Sequence, residues 1–192
     1  DTATVNTAVL KLSALGASTS TTSPRTYSET MTATDANGMT TPYYISLTVN
    51  PRIIVSTSRE TITTTFGVAG TATLTATQGT GSLTFTRVSG SGSSAITMSA
   101  NTGQATLTVA GTLPAGTYYE TLTATDSIGA TTSRVIVIVV NSPPSLVSAS
   151  GSNTVETTFT RGASARLNVT GGTGNRTYAL TYVSSTSRWR IS

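Results

Sequence analysis

Cysteine and histidine are both absent from this chain, charged residues make up 9% of it and aromatic residues 6%. Without cysteine there is no disulfide framework and no thiolate metal site. Without histidine the commonest general base and the commonest metal ligand are missing together. The seven acidic residues are dispersed, so neither a nucleophile with its base nor a pair of carboxylates is discernible. A chain without catalysis, cofactor or resident metal is the expectation. Long apolar runs are missing too: residues 135–140 are far short of a bilayer span, and no membrane insertion is expected within this segment. Apolar spacing at i, i+3, i+4 is nowhere sustained, so no helix is predicted. The chain opens at Asp1 without a signal peptide, and any export signal is expected upstream.

The net charge of +4 comes from eleven cations set against seven acids. Nucleic-acid binding would want arginine and lysine clustered with stacking aromatics. Arg25, Arg52, Arg59, Arg87 and Arg134 are instead scattered singly, which reads as solvated strand faces, and no nucleic-acid partner is expected. Arg161, Arg166, Arg176, Arg188 and Arg190 do gather around Trp189. That face suits an anionic glycan or a neighbouring subunit, against the plainer reading of ordinary surface charge.

What the chain has in abundance is threonine, at nearly one residue in four. Threonine is β-branched and favours strands, so this composition is not that of a disordered tract. It also carries a repeat. Tyr27, Glu29, Asp35, Gly38 and Asn50 recur 91 positions later as Tyr118, Glu120, Asp126, Gly129 and Asn141, with TATD intact in both copies. Within the second copy Tyr118, Leu122 and Ala124 alternate against Tyr119, Thr121, Thr123 and Thr125, the period of a half-buried strand. Asp126 and Gly129 then supply a turn, because an aspartate side chain bonds backbone two residues on and glycine tolerates positive φ.

The repeat divides the chain. Residues 1–50 hold a back half: a strand marked by Val9, Leu10 and Leu12, a loop, then strands at 27–33 and 43–49. Residues 51–141 hold one complete unit, with short strands at 53–55, 61–65, 72–77, 83–88, 96–98 and 105–109 before the repeated pair. Turn signals every eight to twelve residues give the pattern of a β-sandwich. Residues 142–192 restart the unit, since Phe66, Leu74, Gly79, Gly81 and Phe85 match Phe159, Leu167, Gly172, Gly174 and Tyr178 at a spacing of 93. Pro51 and the NSPP stretch at 141–144 close the units, because proline cannot donate to a ladder and stiffens a linker. The expectation is a window on a much longer chain, with each half completed covalently or, as the alternative, by a neighbouring molecule.

NTGQATLTV, PAGTYY, TATD, a glycine shortly after and a strand ending in VN together resemble the immunoglobulin-like and cadherin-like tandem repeats of large bacterial or archaeal surface proteins. The likeness covers the whole second unit and parts of the other two. It implies an all-β fold of tandem immunoglobulin-like sandwiches, about seven strands each, at an extracellular surface. It further implies a structural or adhesive fibre, with neighbouring repeats, other copies and glycans as partners; the alternative is a glycan-binding module of an adhesin or phage fibre. Cadherin junctions carry several carboxylates, whereas VNPR and VNSPP carry none, so no calcium-dependent stiffening is expected.

Single residues can be weighed on the same footing. Tyr27 and Tyr118 stand where a tyrosine-corner residue belongs, near the start of the penultimate strand. Glu29 and Glu120 share the parity of core residues, so each carboxylate needs a partner. An edge position where the head reaches water or a backbone N–H is expected, with a paired arginine as the alternative. Asp35 and Asp126, each alone in its turn with Gly38 and Gly129, read as turn formers rather than calcium ligands. Lys11 is the sole lysine and does not recur, which argues against a lysine–asparagine crosslink. QGTGS and GGTGN lack the lysine of a phosphate loop and read as hairpins. Asn168 and Asn175 begin N-x-T sequons, possible glycan acceptors in a secreted archaeal or eukaryotic chain.

Overall fold

The computed structural model describes residues 23–179, so Val9, Leu10, Lys11, Leu12, Arg188, Trp189 and Arg190 lie outside the described residues. Twelve strands and no helix occur among those described. A hairpin of β1 (Arg25–Thr34) and β2 (Thr40–Val49) comes first. Eight strands follow: β3 (Ile54–Thr57), β4 (Thr61–Thr65), β5 (Gly70–Thr77), β6 (Thr84–Ser89), β7 (Ile96–Asn101), β8 (Gln104–Val109), β9 (Gly116–Thr125) and β10 (Thr131–Asn141). A short antiparallel ribbon of β11 (Ser145–Ser148) and β12 (Leu167–Thr170) ends the described chain.

The eight central strands form two four-stranded sheets, ordered β3-β5-β8-β7 and β4-β10-β9-β6. This is the immunoglobulin-like arrangement, with the first strand split so that β3 edges one sheet and β4 runs parallel to β10 at the edge of the other. Alternation explains the core. Alternate residues over the second half of each long strand, Glu120, Leu122 and Ala124 on β9 and Ile136, Ile138 and Val140 on β10, are buried in one core with Leu74 and Leu107 of the opposite sheet, while the threonines between them on β9 and the valines between them on β10 are only partly covered. Each fully buried leucine or isoleucine contributes about 1.5–3 kcal/mol relative to exposure.

The QGTGS turn is not the hairpin its composition suggested. It carries the chain from β5 to β6, which belong to different sheets. Glycines announce a reversal, but whether the next strand pairs with the last or crosses to the facing sheet is decided by closure of the sandwich.

The outer segments reproduce the pairing of the central one. Tyr27 lies opposite Leu47 and Glu29 opposite Ile45, as Tyr118 lies opposite Ile138 and Glu120 opposite Ile136. Leu146 lies opposite Val169 and Ser148 opposite Leu167, as Val55 lies opposite Ala76 and Thr57 opposite Leu74. One main-chain bond recurs as well: Ser58 N–H donates to Thr73 and Ala149 N–H to Arg166, both at 2.8 Å.

Candidate functional site: a buried ion pair and two aspartate turns

Glu120 sits midway along β9 between core residues, and its side chain is 0% exposed. Burying an unpaired carboxylate is costly, so its neighbours decide whether the fold tolerates it. Arg87, on the adjacent β6, forks onto it: Nε donates to Oε2 at 2.5 Å and Nη2 to Oε1 at 2.9 Å. The remaining guanidinium arm donates to the Ile96 carbonyl at 2.7 Å. The Ser91 amide and hydroxyl donate to Oε1 at 3.0 and 2.9 Å. A β-carbon at Gly90 would lie inside the Glu120 carboxylate, so this position requires the bare backbone.

Two expectations are corrected here. Glu120 does accept a backbone N–H, from Ser91, but it is buried rather than at an edge reaching water and takes the paired arginine of the alternative reading, and Arg87 is not a solvated surface cation. The signal was present in the parity: Arg87 alternates in phase with Leu83 and Phe85, as Glu120 does with Leu122 and Ala124, so both heads point inward. Arg134 is engaged too, in an exposed pair with Glu60.

Tyr118 packs against the core, and its hydroxyl donates to the Pro114 carbonyl at 2.9 Å, four residues upstream. That is the bond a tyrosine corner makes. Tyr27, its counterpart in β1, is 42% exposed, and Glu29 is exposed beside it.

Asp126 closes the β9–β10 turn. Its Oδ1 accepts the amides of Ile128 and Ala130 at 3.1 and 2.9 Å, and Oδ2 accepts that of Thr80 at 2.9 Å. Burial by itself would raise this carboxyl, but the backbone N–H groups of Thr80, Ala130, Ile128 and Gly129 outweigh it and hold the group below its usual range. Asp35 repeats the turn, accepting Asn37 and Met39 amides at 2.9 and 2.8 Å. Gly38 and Gly129 take φ of 85° and 88°, a conformation glycine adopts without strain. With both oxygens of Asp126 and Oδ1 of Asp35 bonded to backbone amides, these aspartates are turn locks. Among the described residues no three His, Cys, Asp or Glu side chains gather to hold a metal ion.

Asn168, on β12, and Asn175 are both exposed. An open groove beside β9 is lined by Ser89, Ser91, Thr117, Tyr119 and Thr121, with Tyr119 61% exposed.

No known protein family matches the chain, and no curated protein does. Among solved structures, the BIgI domain of beta protein from S. agalactiae bound to CEACAM1 is 21% identical, covering 48% of this chain and 99% of that one, with a TM-score of 0.38. The titin M10–obscurin-like 1 Ig complex is 15% identical, covering 47% of this chain and 97% of that one, with a TM-score of 0.34.

Proposed function

We propose that this chain is a segment of an extracellular surface fibre or filament, in which immunoglobulin-like sandwiches follow one another as a semi-rigid structural or adhesive spacer. In this reading residues 1–50 are the back half of one repeat, 51–141 a complete repeat and 142–192 the front half of another. The observation that carries it is the reproduced register: the β1–β2 hairpin pairs as β9–β10 does, and the β11–β12 ribbon pairs as β3–β5 does. Partners are then the neighbouring repeats and other copies in the fibre. The chemistry fits a spacer, since the buried pair and the turn aspartates are engaged by protein groups in holding the fold. Small-angle scattering of the full chain should return an elongated particle, and surface biotinylation of the source cells should label it. A compact scattering profile, or protection from the label, overturns the reading.

The groove beside β9 favours a second reading, a glycan-binding module. An exposed tyrosine among hydroxyls offers a sugar both a stacking face and hydrogen-bond partners. Glycan-array binding that Tyr119→Ala abolishes would establish it, and binding to no glycan discards it.

A further inference from the structure

The two junctions on either side of the central sandwich are built alike. At the first, the Asn50 side-chain amide donates to the Thr80 hydroxyl at 2.9 Å, and Gly79 N–H donates to the Pro51 carbonyl at 3.0 Å. At the second, the Asn141 amide donates to the Thr173 hydroxyl at 2.8 Å, and Gly172 N–H donates to the Ser142 carbonyl at 2.6 Å. Asn141 and Ser142 are the counterparts of Asn50 and Pro51 at the spacing of 91, and Gly172 and Thr173 those of Gly79 and Thr80 at 93. The turns share a backbone shape as well. Gln78, Gly79 and Gly81 have φ of 66°, 77° and 66°, against 70°, 73° and 73° at Gly171, Gly172 and Gly174.

The second junction shows what the threonine does when a full sandwich precedes it. A hydroxyl has one proton and two lone pairs. Thr173 gives its proton to the Thr64 carbonyl at 3.1 Å. It then accepts the Asn141 amide and the hydroxyl of Thr65 at 2.7 Å, which uses its full capacity. All three partners stand at one end of the sandwich, on the last residues of β4 and β10. Asn141 is held on its main chain too, since its carbonyl accepts Phe66 N–H at 2.9 Å. The turn is anchored within its own unit: in the central sandwich Thr80 donates its N–H to Asp126, and its carbonyl accepts the amide and hydroxyl of Ser127 at 3.0 and 2.7 Å.

We infer that the Gly-Thr-Gly turn is a docking element whose partner is the far end of the preceding sandwich of this same chain, gripped through the asparagine that closes its last strand. In the central sandwich the turn is tied to its own unit, and at the second junction the threonine is saturated by the unit before. The contact therefore fixes the angle between successive sandwiches, which a linker of a few residues cannot do alone. This rests on the spacer reading above and supplies its stiffening contact.

The absence of native cysteine allows a direct test on the full chain, with spin labels at Val88→Cys and Asn168→Cys and inter-label distances read by double electron–electron resonance. The parent and Thr173→Ser should give one narrow distance. Thr173→Val and Asn141→Ala should replace it with a broad distribution while the unfolding midpoint of the central sandwich stays put. Thr80→Val, with labels at Met39→Cys and Val88→Cys, covers the case in which a Thr173 variant fails to fold. If valine variants stay as narrow as the parent at both junctions, the docking role is wrong and the spacer reading survives. If the parent is itself broad, the spacer reading falls and the docking role with it.

Discussion

Replacing Arg87 by methionine keeps most of the side chain's aliphatic length and removes the guanidinium from the buried pair. The Arg87 side chain is 25% exposed and that of Glu120 0%, so the loss falls on the carboxylate. Oε2 is left without its donor, while Oε1 keeps the Ser91 amide and hydroxyl. Breaking a buried pair by removing one member costs about 3–5 kcal/mol. The surviving Ser91 bonds place Arg87→Met near the lower end, about 3 kcal/mol. At about 4–8 °C per kcal/mol for a domain of this size, the midpoint should fall by roughly 12–24 °C. The double variant Arg87→Met/Glu120→Leu removes both charges and should recover to within about 1 kcal/mol of the parent, because apolar replacement of a whole buried pair is often neutral. Urea titration of the full chain followed by circular dichroism measures all three proteins, with unchanged slope as the check on two-state unfolding. A single-variant loss below about 1 kcal/mol, or a double variant no better than the single, refutes the argument that an uncompensated buried carboxylate dominates the energetics here.

Gly90→Ala should destabilise comparably through the same carboxylate, whereas Gly92→Ala, with open space around it, should suffer only the milder strain of its φ of 70°; equal losses in thermal melts would contradict the packing argument. Tyr118→Phe should lose about 1 kcal/mol with its bond to Pro114, and Tyr118→Ala about 3 kcal/mol or more; an alanine loss under roughly 1 kcal/mol in denaturant titration would place the ring in solvent. The folded protein holds Asp126 below its ordinary value of 3.8, so its contribution is fully present above that pH and is lost as pH falls through the depressed folded value. Asp126→Asn should remove that part of the acid transition, and an acid-unfolding curve identical to the parent's counts against it. Because each aspartate stands alone in its turn and is held by backbone amides, and no three ligating side chains gather among the described residues, thermal unfolding with calcium and with a chelator should coincide; a shift of several degrees refutes this.

The strands and their turns were legible in the linear chain because their causes are local. Alternation of Leu122 and Ala124 with threonines selects one face whatever the strand packs against, and TATD with a following glycine closes its own turn at both Asp35 and Asp126. Copies at one spacing then carry the same pairing wherever they occur. Parity also pointed Arg87 and Glu120 inward and left a paired arginine as the alternative for Glu120, yet which arginine was not readable. They lie 33 residues apart and meet because β6 pairs with β9, with a register shift between Arg87 and Ser89 beside the Ser91 loop. The QGTGS turn was misread for the same reason, since its glycines specify a reversal while the facing sheet decides where the chain goes next. Thr173 marks the far limit of local reading: its three partners belong to residues 32 to 109 positions away. Short-range sterics and turn chemistry reside in each segment's own residues, whereas the meeting of distant side chains exists only once the two sheets have closed on each other and the next segment has settled against their end.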